Sequence, residues 1–435
     1  MGRQPLFSRG KMKFVALLVG VVPVFALTAC GAASQTPAKQ KASGAAVQID
    51  VFSPFSGANA FIGTTFNLPP VKMGAALINA AGGINGHPVS VIATDSGTDP
   101  ADALPAIQRL FVQHSGVAGM LGLDSSNAPA LAPVMNSHKV VTMSLAGTAS
   151  LDKNTNAYFF RLASPDSMMG TALAQSALHF GYKKVALIFD SSGTSQSDVP
   201  GIVKEYTNHG GNIALNETVQ VDQASYRTEV AKLKAAHVQA LITETDPQTA
   251  ATLYANMKQL GVIGIPVIGG AENDVAAYFT SVAKAVGGMA AESKFMYVEN
   301  FAPATAPGQA YFNAQWAKAD PKGGAPVPPQ YALYDGLNIM ALAMDEAHSS
   351  TPSVYLHFMK KVTYNPGGEV VSNYAQGLAA LNAGKKIQYE GASGQLVFNK
   401  YNWPPQGFEL LKLTPKGALK SVYKQTSSSV GAYFK

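Results

Sequence analysis

The chain has 435 residues, 47% of them apolar and only 13% charged, about half the usual charged share. With 41 glycines and 26 prolines it reads as a compact α/β protein of two to three domains, which excludes a disordered or fibrous chain. The formal charge is +6, but Arg3, Arg9, Lys11 and Lys13 stand in the first 29 residues without an acid, leaving +2 for residues 30–435, too little to indicate nucleic acid.

Residues 1–29 read as a secretory signal: a basic stretch to Lys13, the apolar run Phe14–Phe25, then small residues. Phe14–Ala29 spans 16 residues, short of the ~20 that cross a bilayer. Met1 and Met12 both serve as starts for such a signal. The single cysteine, Cys30, excludes an internal disulfide framework, a cysteine zinc site and an iron–sulfur cluster. It closes Leu27-Thr28-Ala29-Cys30-Gly31, which resembles a bacterial lipobox, whose cysteine heads the mature protein and carries lipid. Acyl chains on its thiol and its amine supply the two hydrophobic signals that stable anchoring requires. Residues 30–46 are then a lipidated tether with a reach of about 20 Å. The expected location is exported and lipid-anchored, on the periplasmic or extracytoplasmic face of the cell membrane.

From Val47 short β-rich runs alternate with helical stretches. Strands are expected at Val47–Phe52, Val89–Thr94, Val117–Leu121 and Val140–Met143, with helices at Thr65–Asn79, Pro100–His114 and Ala128–Asn136 between them. The pattern restarts at Phe159–Asp166, with strands Val185–Phe189, Ala240–Thr243 and Pro266–Gly269 and helices Ser167–Gly181, Ala224–Ala236 and Gln248–Gly261. Beyond Glu292 come a Pro/Ala-rich stretch, a helix at Tyr331–Glu346, and short strands at Gln395–Phe398 and Glu409–Leu413. Strand–helix alternation implies right-handed crossovers and parallel sheets. Two such lobes bring their strand C-terminal ends, where ligands bind, around one cleft.

No HExxH, P-loop, GxSxG or dinucleotide glycine fingerprint occurs, and the nearest histidines, His348 and His357, are too far apart to be helix neighbours. No enzymatic activity, cofactor or metal is therefore expected. Gly122-Leu123-Asp124-Ser125-Ser126-Asn127 stands between a strand and a helix, where N–H groups and hydroxyls make either an anion site or a plain N-cap by Ser126 or Asn127. Glu272, after the glycines at the end of Pro266–Gly269, is either a cleft carboxylate or a cap.

The order of several motifs resembles the leucine/isoleucine/valine-binding proteins, type I periplasmic solute receptors of ABC transporters. These are Ala80-Ala81-Gly82-Gly83-Ile84-Asn85-Gly86 after the first helix, Asp95, Asp99-Pro100, Tyr226, Tyr334-Asp335-Gly336 and Gly391-x-x-Gly394 before Val397-Phe398-Asn399. The resemblance implies two doubly wound parallel-sheet lobes of an α/β protein joined by a three-strand hinge. The expected divisions are 47–164 and 296–398 for the first lobe, and 165–295 and 399–435 for the second. It implies capture of an amino acid or related small carboxylate in the interlobe cleft and delivery to an ABC permease; the alternative is a sensing receptor of the same fold that reports to a membrane partner.

It further implies that Ser126, with Ser125, and the loop holding Ala146 and Thr148 bind the ligand carboxylate, while Glu272 pairs with its ammonium. The family's cleft-lining aromatic falls at Ile62, with Phe61 adjacent. Where relatives often place aromatics in the second lobe, this chain has Thr194-Ser195 and Thr245-Asp246. Hydroxyls and an extra carboxylate suit a branched apolar side chain poorly, which weakens leucine as the ligand.

Overall fold

The protein is described here by a computed structural model covering residues 42–57, 59–97, 100–302, 306–321 and 324–431. Cys30, the signal, the tether as far as Lys41, and Asp99 lie outside the described residues.

The first sheet has the order β2-β1-β3-β4-β5, all parallel, from β1 (Val47–Ser53), β2 (Val89–Asp95), β3 (Val117–Leu121), β4 (Thr142–Ser144) and β5 (Phe159–Arg161). The second repeats that order with β6 (Lys184–Asp190), β7 (Asn212–Val219), β8 (Ala240–Glu244), β9 (Val267–Gly269) and β10 (Met296–Phe301), running β7-β6-β8-β9-β10. The half-domain that the sequence writes twice is thus built twice, each as a doubly wound sheet. A small sheet joins β11 (Glu369–Val371), β12 (Ile387–Gly391) and β13 (Gly394–Gln395); β14 (Phe408–Leu413) and β15 (Leu419–Gln425) extend the second sheet antiparallel from β10. Apolar cores cover both faces of each main sheet, as expected for continuous apolar parallel strands.

The predicted helix at Thr65–Asn79 divides. Pro69 and Pro70 open an α-helix at Leu68–Ala80, and the preceding Ile62–Asn67 winds as a wider π-helical run. Prolines lack the N–H that would carry α-type bonding back through this point. Behind the helix the paired glycines reverse the chain: a side chain at Gly83 (φ 75°) would lie 2.1 Å from the His87 carbonyl. The turn is pinned from afar by Asp345, which accepts the Asn85 N–H at 2.7 Å, and by the Tyr374 hydroxyl, which donates to the Gly83 carbonyl at 2.8 Å.

The chain passes between the sheets three times. The first passage is at Ser164 and the third beyond Asn399, where Ser164 Oγ donates to the Pro404 carbonyl at 2.8 Å and Arg161 N–H to the Asn402 carbonyl at 2.9 Å. The second differs from expectation. Residues 296–301, assigned from sequence to the first lobe, form β10, hydrogen-bonded between β9 and β14 in the second sheet, so the return begins after Phe301. Glu299 and Asn300 break the apolar run, yet Glu299 is fully buried and accepts from the Ser176 hydroxyl. Of the strand expected at Gln395–Phe398 only Gln395 is in β13; Phe398 turns into the core edge-on to Phe160, centroids 5.1 Å apart. A helix at Gly193–Asn208 and strands β7, β11, β12 and β15 have no counterpart in the sequence reading.

Candidate ligand-binding cleft

In both sheets the strand order reverses beside the first strand, between β1 and β3 and between β6 and β8. Crevices at such switch points, beyond the strand C-termini, are where doubly wound sheets bind ligands. The residues that follow β3, β4, β6, β8 and β9 therefore define the candidate site.

In the first lobe the chain leaves β3 through Gly122 (φ 107°), where a side chain's Cβ would lie 2.8 Å from the Phe52 carbonyl. The following helix (Ala128–His138) starts from Asn127, but neither the Asn127 nor the Ser126 side chain makes the capping bond. Asp124 Oδ1 accepts the N–H groups of both, each at 3.0 Å, and the Ser126 hydroxyl at 2.6 Å. An aspartate reaches N–H groups two and three residues on, here those of Ser126 and Asn127, while the Ser126 hydroxyl is spent on that same carboxylate. Ser125 Oγ accepts the Gly147 N–H at 3.0 Å and so ties this loop to the one after β4. There the Ala146 N–H is taken by Ser144 Oγ at 3.0 Å, whereas the Thr148 N–H has no partner among the described residues.

Arg161, fully buried, braces this loop from behind, donating to the Ala146 carbonyl at 2.6 Å and to Asp152 at 3.3 Å. Burial pulls its pKa down, against the raising effect of Asp152 and Asp166. Phe61 is 52% exposed and edge-on to Phe66, while Ile62 is half-buried at the start of the π-helical run.

The second lobe presents acids. Asp190 ends β6; its carboxylate accepts the Ser192 N–H at 2.9 Å and the Asp246 N–H at 3.0 Å. Asp246 itself caps the helix Pro247–Gln259 through Gln248 and Thr249 N–H, so one of its two oxygens is committed to structure. Glu244 ends β8 and accepts the Glu272 N–H at 2.9 Å; a Cβ at Gly270 would lie 2.3 Å from that oxygen and would force the carboxyl to move. The Glu272 side chain is exposed and bonded to Thr194.

Helices Asp166–His179 and Gly193–Asn208 cross at Gly170 and Gly201, where added Cβ atoms would lie 1.9 Å and 2.0 Å from the carbonyls of Asp198 and Ser167. That close approach places Asp198 beside Asp166 and Glu244. Asp166 in turn lies on the first lobe's loop, its N–H donating to the Gly147 carbonyl at 2.8 Å. Burial, with Glu272 adding to it, pushes Glu244 up to about 8, and burial raises Asp166 to about 7 despite Arg161. Asp198 is driven well above the usual carboxylate range by burial and by Glu244; Glu272, although solvent reaches it, is raised by the partial desolvation of its carboxyl and by Asp190. Among the described residues, no group of three or more His, Cys, Asp or Glu is arranged to hold a metal ion.

Ser125, Ser126, Ala146 and Thr148 thus gather on one side, and Thr245, Asp246 and Glu272 on the other. Sequence reasoning missed Asp124 as the cap and the acids Asp166, Asp190, Asp198 and Glu244. A usable signal existed for two of them: Asp190 and Glu244 terminate the adjacent strands that flank the second switch point.

An amino acid binding protein from Pseudomonas aeruginosa is 24% identical over 218 residues, 50% of this chain, which spans 58% of that relative's length. A leucine-binding protein from Thermotoga maritima superposes with a TM-score of 0.66 at 18% identity, over 88% of this chain and 99% of its own. The branched-chain amino acid transporter substrate-binding protein from Streptococcus pneumoniae, solved with isoleucine, gives the same TM-score, identity and coverage. The periplasmic binding protein profile matches residues 46–383. This chain belongs to the periplasmic binding protein family, whose members bind solutes and are not enzymes.

Proposed function

We propose that this protein captures an amino acid, or a closely related small ligand, between its two lobes and delivers it to an ABC permease. The observation that carries the reading is Glu272: an exposed carboxylate at the end of β9, backed by Glu244 and Asp190, set to pair with a ligand ammonium. On the first lobe the Thr148 N–H and hydroxyl receive the carboxylate, joined by the Ser126 hydroxyl once it turns away from Asp124, with Ala146 shaping the loop, while Phe61 and Ile62 line the mouth. Thr245 and Asp246 belong to the second lobe's wall. Hinge closure across the three passages buries the ligand and gives the permease a shape to recognise. The relatives' names, an amino acid binding protein and branched-chain amino acid receptors, support this class.

A thermal-shift screen of amino acids tests it, since ligand at 100 times its dissociation constant stabilises by about 2.7 kcal/mol. A screen without a stabilising amino acid rejects the reading. Lipid anchoring at Cys30 belongs to the same proposal: Cys30→Ser is expected to release the protein from the membrane fraction or to block its maturation. Unchanged detergent partitioning of the variant counts against it.

A further inference from the structure

The acceptors in the second lobe outnumber what one ammonium satisfies. Asp166, Asp190, Asp198, Glu244 and Glu272 form one electrostatic group: Asp190 raises Glu272, Glu272 raises Asp166 and Glu244, and Glu244, Asp166 and Glu272 raise Asp198. The cation facing them, Arg161, is already committed to Asp152 and the Ala146 carbonyl.

A second observation is independent of charge. Thr245, 2% exposed, keeps a buried hydroxyl with no partner, and Asn273, fully buried, leaves Oδ1 without a donor while its Nδ2 donates to the Thr245 carbonyl at 2.8 Å. With Asp166 Oδ2 and Asp246 Oδ2, that makes four buried oxygens at this end of the sheet lacking a hydrogen-bond partner. Asp198 is itself only 2% exposed, and its charged neighbours are Glu244, Asp166 and Glu272. Buried polar atoms are ordinarily paired, so a concentration of unpaired acceptors calls for a donor-rich cation. An ammonium brings three N–H donors and a guanidinium five.

We propose that the cleft selects ligands with a second cationic group, an amino acid with an ammonium or guanidinium side chain, which lies against Asp166, Glu244 and Asp198 behind Glu272. This rests on the reading of the cleft as an amino-acid site and goes further by naming the side-chain chemistry. Entry of the second cation requires Gly270 and the Thr245–Asp246 turn to yield.

Calorimetry with L-lysine, L-arginine, L-norleucine and L-leucine on the full chain separates the two readings. L-norleucine matches lysine in length but lacks the side-chain ammonium. L-lysine or L-arginine is expected to bind at least tenfold more tightly than L-norleucine, the effect of losing a hydrogen-bonded charge. Equal or tighter binding of L-norleucine or L-leucine overturns the inference and leaves the amino-acid reading standing; binding of none of the four overturns the inference as well, and the wider thermal-shift screen then decides the amino-acid reading. Glu244→Gln should narrow the lysine-to-norleucine ratio at least threefold, with Asp166→Asn as the second variant if the first does not fold. An unchanged ratio in a folded variant overturns the assignment of these carboxyls.

Discussion

The Asp124 carboxylate accepts both the N–H and the hydroxyl of Ser126, at 3.0 and 2.6 Å. The serine that the family resemblance assigns to a ligand carboxylate is therefore already held by a carboxylate of the chain itself. Asp124→Asn keeps an acceptor for the helix cap, whose full loss costs about 0.5–2 kcal/mol, but removes the charge. The expected outcome is a three- to tenfold gain, roughly 0.6–1.4 kcal/mol, in affinity for an amino acid and no gain for the amine that lacks its carboxylate. Calorimetry with lysine and cadaverine measures this. Equal changes for both would show that Asp124 does not sense the carboxylate.

Glu272 is the residue on which the ammonium assignment turns. Glu272→Gln leaves the backbone bond to Glu244 in place and strands a ligand ammonium beside a neutral amide. Removing one partner of a buried charge pair costs about 2–5 kcal/mol. Affinity for an amino acid should fall by at least about thirtyfold, and affinity for its desamino analogue far less. Equal losses for the two ligands would move the assignment to Asp246.

What the sequence carried and what it hid divide on physical lines. Strands such as Val117–Leu121 announce themselves as short apolar runs because both faces of the sheet are covered. The Gly82–Gly83 turn is legible because no other residue fits its backbone. The strand Met296–Phe301 was misplaced because Glu299 and Asn300 interrupt its apolar pattern, and their partners Ser176 and Asp274 are distant in sequence. The site followed the same rule. Positions that follow strand ends can be read from the sequence, but the acids around Glu272 are gathered by the crossing at Gly170 and Gly201, which local periodicity does not report.

That crossing gives a stability prediction. An alanine in place of Gly201 raises helix propensity by about 1 kcal/mol, but its Cβ would lie 2.0 Å from the Ser167 carbonyl and 2.9 Å from the Thr171 nitrogen. Backbone atoms do not rotate away, so the helices must separate, at about 1–3 kcal/mol net. Gly201→Ala should lower the midpoint of urea unfolding. A midpoint equal to or above the parent's would mean that the two helices have slack at this contact.

The buried carboxyls give the chain a pH-dependent stability of definite sign. Burial pushes both Glu244 and Glu299 up to about 8 from the usual value near 4.5, with Glu409 adding to the shift at Glu299 and the Ser176 hydroxyl opposing it. A carboxyl whose pKa is raised by folding holds its proton in the native state where the unfolded chain has lost it. Its contribution is complete below about pH 4.5 and is lost as pH rises through about 8. Melting temperature without ligand should therefore fall between pH 6 and pH 9, where surface carboxylates are already ionised in both states. Glu299→Gln preserves an acceptor for Ser176 and removes the titration, so its melting temperature should fall less over the same interval. Parallel pH profiles for the two proteins would show that Glu299 is not protonated in the native state at neutral pH.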